Sequence, residues 1–331
     1  MLNELHVVVW PEIEARAADR AWGELPSSID PHHLTTARAH LLRDNVITRV
    51  EEATRGRRRV AVYHLSDLRG RSTAVSQAAA RKRLLHSRFI GWASGTAAGA
   101  GIVGSAGEVV ARAALRAAAP RGYLLVRPDG RGDVDEVFGA PVPGGSLDDA
   151  AFLTLLSEEG EPQSPYFVPV EVKNLREWIY PRTPELHQLL HKAAALQVAH
   201  PQRTIVPVLV CRRAHTTTFW MAGQLGFHVI DTHSQFIQPS VDAEALEEVR
   251  RELGYIDLTA NLEPPDRIVN QFSNVLPSVA ATRAEAWAET APACVALFEA
   301  LRDDALSGSE RNDVMAELRE VNEELDRRGG W

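Results

Sequence analysis

Glu171 and Lys173 stand one residue apart at the end of the run Tyr166-Phe-Val-Pro-Val-Glu-Val-Lys173. If the run is a strand, its side chains alternate between faces, so a carboxylate able to hold a metal and an ammonium point the same way. Val168, Val170 and Val172 then point into a core. The lysine is informative because the chain writes arginine almost everywhere: of 36 basic residues only Lys82, Lys173 and Lys192 are lysines. A compact ammonium can sit beside a water or a phosphate oxygen where a planar guanidinium would clash. The competing reading of Glu-x-Lys alone is an exposed ion pair on a surface strand.

The flanking elements decide between these readings. Glu108-Val-Val-Ala-Arg-Ala-Ala-Leu115 has helical spacing with Glu108 in its first turn. Tyr123–Arg127 reads as a short strand, residues 128–130 (Pro-Asp-Gly) as a turn, and Asp133–Phe138 as the returning strand of a hairpin carrying Asp133 and Asp135 on one face. Gly139–Pro165 follows as an excursion rich in Gly, Pro and acids, with a short helix expected at Leu147–Leu156. Pro169 inside the motif strand implies the strand's start, an edge or a bulge, because proline donates nothing to a ladder. Thr183-Pro184 opens a helix through Gln197, with proline at the first helical position. Strands at Ile205–Val210 and Gly226–Asp231 bracket a short helix from Thr217 to Leu225.

This α-β-β-β-α-β-α-β succession, with its acids and Glu-x-Lys, resembles the PD-(D/E)XK nuclease superfamily over about residues 100–238. Within it the pattern is most similar to methylation-dependent restriction enzymes and archaeal Holliday-junction resolvases. The resemblance implies an α/β, restriction-endonuclease-like mixed sheet flanked by helices. It also implies Mg²⁺ or Mn²⁺ held by Asp135 and Glu171, Lys173 as the catalytic lysine, and Glu108 as an additional helix-borne acid ligand. Asp133 is the alternative aspartate, and Gln188, Lys192 or Gln197 would supply the polar residue of the following helix. Phosphodiester hydrolysis needs such residues: carboxylates hold a hard cation, usually one or two for Mg²⁺, and an ammonium stabilises charge growing on the phosphorane. The expected activity is metal-dependent DNA cleavage in restriction, defence or recombination. An RNA-directed nuclease and a non-catalytic DNA-binding regulator are the competing readings, the latter requiring that Asp135, Glu171 and Lys173 do not converge.

Charge is uneven along the chain. Residues 36–92 hold 13 Arg or Lys against 4 Asp or Glu, whereas residues 241–331 hold 9 against 20 and the whole chain carries −8. The basic block contains a helical pattern at Leu34–Arg43 and two strand-like runs joined by Thr54–Arg59, the ending of a winged helix. A winged helix sets a helix in a groove and a wing on phosphates. Arg55, Arg57, Arg58 and Arg59 in the turn, with Arg81, Lys82 and Arg83 on a further basic helix, are the candidate nucleic-acid contacts. The expected domains are a winged-helix-like residues 1–92, a nuclease core at 93–240 and an acidic helical region at 241–331. Helices at Ala281–Leu301 and Asn312–Arg328 there cover the core or form a homodimer.

Two distant cysteines, Cys211 and Cys294, exclude a disulfide framework or a paired zinc site. The absence of a secretory start or a long apolar run points to a cytoplasmic protein without a membrane partner. Gly99-Ala-Gly101-Ile-Val-Gly104 matches a dinucleotide fingerprint, but no strand leads into it, so a hinge is the better reading. His187 and His191 lack the glutamate of a metalloprotease motif, and His215, His228 and His233 are read as packing or capping residues.

Overall fold

The computed structural model describes residues 2–18, 29–53, 59–68, 71–94, 101–127 and 132–329, with side chains to residue 325. The chain is mixed α/β and divides into two compact units, Met1–Ser105 with Ser234–Asn261, and Ala106–His233 with Leu262–Trp331. The boundaries expected at 92 and 240 are therefore replaced. Part of the acidic region belongs with the basic N-terminal block, and the rest completes the second unit.

The first pass through the first unit contributes α1 (Leu2–Leu5), β1 (Val7–Val8), α2 (Trp10–Ala17), α3 (Pro31–Arg43), β2 (Ile47–Ala53), β3 (Arg59–Leu65) and α4 (Ser72–Ala93). The second unit then supplies α5 (Gly104–Ala117), β4 (Tyr123–Leu125), β5 (Glu136–Val137), β6 (Ala140–Pro141), β7 (Asp149–Leu153) and β8 (Tyr166–Lys173). It continues with α6 (Pro184–Ala199), β9 (Thr204–Ile205), β10 (Val208–Cys211), α7 (Thr216–Leu225) and β11 (His228–Asp231). The chain returns to the first unit for β12 (Gln235–Phe236), α8 (Ala243–Leu253) and β13 (Leu258–Thr259). It ends in the second with α9 (Asp266–Asn270), α10 (Leu276–Leu301) and α11 (Gly308–Gly329).

In the first unit an antiparallel sheet runs β1-β3-β2. Val7, Val9, Val60 and Val62 meet Val75, Leu85 and Phe89 of α4 and Val249 and Leu253 of α8 in one core. α3 starts earlier than its apolar pattern implies, because Asp30 accepts a hydrogen bond from the His32 amide and Pro31 fills the first position. Of its thirteen residues only Leu34 is buried.

The second unit is built on a mixed sheet in the order β4-β7-β8-β10-β11. β7 pairs antiparallel with both β4 and β8, and β8, β10 and β11 run parallel. The returning strand is therefore β7, the segment expected to be helical, and 133–138 does not pair with β4. That segment makes an isolated Val134–Leu147 bridge and the small β5-β6 hairpin instead. Pro169 sits mid-strand without a bulge. It faces Ala150 across β7 and lies level with the break between β9 and β10, where the facing chain carries Pro207 and no ladder continues.

α6 is buried nearly all round because β8 and β10 lie on one side and the 26-residue α10 packs along the other. Polar residues of α6 are thereby forced into the interior. α5 approaches closely through Gly107, where a Cβ would stand 2.6 Å from Cβ of Asn174, just beyond β8. Among the described residues no helix is long and apolar enough to cross a membrane.

Candidate active site

Glu171 lies at the carboxyl end of β8, where it is 3% exposed. Strand alternation does place it beside Lys173, but not towards solvent: the sheet is covered on both faces, so the pair enters a buried cleft. Lys173 Nζ donates to Glu171 Oε1 and to Gln188 Oε1 of α6, both at 2.9 Å. Lys192, a turn further along α6, donates to Glu171 Oε2 at 2.9 Å and to the Ser146 carbonyl at 2.5 Å.

The aspartate of this cluster is Asp148, at the entrance to β7. The antiparallel register pairs Asp149 with Val170, which sets the preceding residue level with Glu171. The Val172 amide donates to Asp148 Oδ2 at 2.5 Å. Burial, then the charge of Glu171, pushes the Asp148 carboxyl up to about 7, with Lys173 and the Val172 amide pulling back. Asp149 alternates to the other face, where Arg112 of α5 stands 3.7 Å away.

Asp135 does not join this cluster. Its side chain is 71% exposed and pairs at 3.5 Å with Arg127, because residues 133–138 lack the regular strand that would have aimed it inward. Asp133 lies nearer, accepting from Ser146 Oγ at 3.4 Å and acting electrostatically on Glu108. Glu108, in the first turns of α5, has its pKa raised by burial first and by the charge of Asp133 second, with Arg112 and Lys173 opposing. Burial works against the charge on Lys173, yet Glu171 and Asp148 outweigh it and hold its pKa above the ordinary lysine value. The cluster is thus Glu108, Asp148, Glu171, Lys173, Gln188 and Lys192. Gln197 is elsewhere, donating to the Arg203 carbonyl.

No three His, Cys, Asp or Glu side chains among the described residues converge into a ready metal shell. The donor set nevertheless fits a hard cation that keeps most of its waters, since Mg²⁺ takes only one or two carboxylates. Asp148 and Glu171 are opposed across two strands, and Glu108 is within electrostatic reach of both. The Pro143-Gly-Gly-Ser146 turn ahead of the apolar run Ala150–Leu153 is a signal for a strand start but does not single out Asp148.

The histidines have other duties. His187 is buried on α6 with its Nε2 against the Pro181 carbonyl, and burial depresses its pKa to about 4. His215 caps α7, His228 meets Gln271, and His233 pairs with Asp231.

The basic triplet of α4 is not a free surface. Arg81 binds Glu248 and Glu252 of α8, Arg83 binds Glu52 of β2, and Lys82 is buried against Glu12 and the Glu252 carbonyl. These residues are withdrawn as nucleic-acid contacts: α4 packs between the small sheet and α8, so its basic side chains are spent on carboxylates. Arg59 is exposed and paired with Glu51 at 3.3 Å, while Arg55, Arg57 and Arg58 lie outside the described residues, as do Gly99 and Ala100 of the glycine fingerprint. α3 instead presents His32, His33, His40 and Arg43 outward, with no carboxylate inside the helix and Arg43 ion-paired at 3.0 Å with the Asp44 cap.

Comparison of the chain with protein-family models, curated proteins and solved structures returns no match.

Proposed function

We propose that the second unit is a metal-dependent endonuclease of the restriction-endonuclease-like type acting on DNA. The observation that carries this reading is the opposition of Asp148 and Glu171 across β7 and β8, with Lys173 one residue on and Gln188 reaching over from α6. The order α5-β4-β7-β8-α6-β10-α7-β11 supports it, because this is the succession on which the resemblance rests. Asp135, Glu171 and Lys173 do not converge, which is what the regulator reading requires, so the nuclease reading rests on Asp148 in the place given to Asp135.

The chain's own groups would divide the work. Asp148 and Glu171 would hold the cation, with Glu108 as a further ligand, directly or through water. A bound Mg²⁺ or Mn²⁺ would supply a water of lowered pKa and a clamp on phosphate oxygens. Lys173, fixed by Glu171 and Gln188, stands ready to orient the attacking water or to offset charge growing on the phosphate. Burial of the cluster strengthens each of these interactions relative to water.

The full-length chain should nick or cleave DNA with Mg²⁺ or Mn²⁺ and be silent in chelator. Ca²⁺, with looser coordination, should support binding more than turnover. Cleavage that persists in chelator would remove the assignment, and cleavage confined to RNA would redirect it.

The first unit supports a winged-helix-like targeting role through its β1-β3-β2 order and the acid-free α3 leading into β2. Duplex DNA is the complementary partner for that face. Arg43→Ala combined with Arg57→Ala, Arg58→Ala and Arg59→Ala should weaken DNA binding. The slope of log affinity against log salt should fall by about one for each phosphate that is no longer neutralised. An unchanged slope in a folded variant would exclude α3 and the β2–β3 turn as the DNA face.

A further inference from the structure

Glu171 already faces cations on both of its oxygens. Lys173 Nζ takes Oε1 at 2.9 Å, and Lys192 Nζ spans the carboxylate at 2.9 Å from Oε2 and 3.2 Å from Oε1. The Ser146 carbonyl at 2.5 Å gives Lys192 a third oxygen. An ammonium with three oxygen neighbours in a buried cleft occupies the kind of position that a second divalent ion would need, between a carboxylate and a backbone carbonyl. It is also held there. α6 is buried on both sides, and Lys192, 8% exposed, has no route to water that does not leave Glu171 buried with one partner fewer.

The charge balance points the same way. Three carboxylates, Glu108, Asp148 and Glu171, face two ammoniums, so even fully ionised the cluster carries one negative charge in excess. One divalent ion over-neutralises that, and a second would stand against both lysines as well as the first ion. Among the described residues nothing donates a hydrogen bond to Asp148 Oδ1 or to the Glu108 carboxylate, so these oxygens are open to a cation.

We propose that Lys192 is a resident cation filling the position a second metal ion would take, and that the site therefore binds a single divalent ion held by Asp148 and Glu171, with Glu108 reaching it through water. This rests on the metal-dependent nuclease reading and adds the number of ions and the reason for it. Lys192 is accordingly a positioning residue: it acts on the cation through Glu171.

The test is Mn²⁺ binding to the full-length chain without nucleic acid, measured by calorimetry and by the disappearance of the free-Mn²⁺ paramagnetic signal. The wild type should bind one equivalent, abolished in Asp148→Asn. Lys192→Met, which keeps the length and apolar stem of the side chain, should either take up a second equivalent or bind the first about tenfold tighter or more. Lys173→Met should still bind one. Two equivalents in the wild type overturn the proposal whatever the variants do, and so does a folded Lys192→Met with unchanged number and affinity. If Lys192→Met fails to fold, Lys192→Gln carries the same expectation. Metal-dependent cleavage with two bound ions would sink this inference and leave the nuclease reading standing. One bound ion without cleavage would do the reverse, and no bound Mn²⁺ would end both.

Discussion

Glu171→Gln and Asp148→Asn should each reduce DNA cleavage by about a thousandfold or more, and Lys173→Ala by about a hundredfold to a thousandfold, while Asp135→Asn stays near wild type. The first two replace a charged ligand by a neutral amide of the same shape. The third removes an ammonium aimed at the charge that develops in the transition state, a kind of change that costs about 10²–10³ in rate by itself. Lys173→Arg should not rescue, because a planar guanidinium cannot take the place of an ammonium held between Glu171 and Gln188. Asp135 is exposed and ion-paired with Arg127, so its replacement removes only a surface ion pair. Activity abolished in Asp135→Asn and kept in Asp148→Asn would reverse the assignment.

Stability separates loss of chemistry from loss of fold. The Asp148 carboxyl is raised from 3.8 to about 7. Its protonated form therefore contributes stability that is fully present below pH 3.8 and lost as pH rises through about 7. Asn cannot ionise and keeps an oxygen for the Val172 amide. Asp148→Asn should consequently melt above the wild type at about pH 8, with the advantage shrinking as pH falls towards about 4. A mutant that is dead and more stable marks a residue kept for function at the expense of the fold.

Glu171 and Lys173 could be read from sequence because strand alternation is a local rule, and the β8 run is long and apolar enough to obey it. Asp148 could not, for equally physical reasons. Its strand opens with Asp149-Ala150-Ala151, which has little intrinsic preference for extended structure. What makes it a strand is its place between β4 and β8, a long-range fact. Asp133 and Asp135 stand out in the sequence only because valines alternate with them, and an isolated bridge does not preserve alternation. Charge density misleads in the same way. The basic block is real, but composition cannot tell which arginines find carboxylates. Glu248 and Glu252, 167 and 171 residues from Arg81 in sequence, return on α8 to neutralise it. The start of α3 is legible in Asp30-Pro31, a signal that the apolar spacing alone passes over.

Lys82→Ala should destabilise the first unit by about 3–5 kcal/mol, the range for breaking a buried ion pair by removing one partner. Glu12 is 0% exposed; its Oε1 accepts from Lys82 Nζ at 2.7 Å and from Arg16 Nε at 3.0 Å, and its Oε2 has no partner. Burial already raises the Glu12 pKa against the pull of Lys82 and Arg16. Without the ammonium that pKa rises further, so the variant should recover stability relative to wild type as pH falls from about 8 towards about 5. Lys82→Met with Glu12→Gln removes both charges and should restore most of the stability. Urea midpoints followed by amide protection in β1 and β3 would report it, since these strands form the unit's sheet. A role for Lys82 in touching nucleic acid predicts the opposite pattern, weaker DNA binding at unchanged stability. Observing that pattern for Lys82→Ala would return α4 to the DNA interface and remove Glu12 from the account of what holds the first unit together.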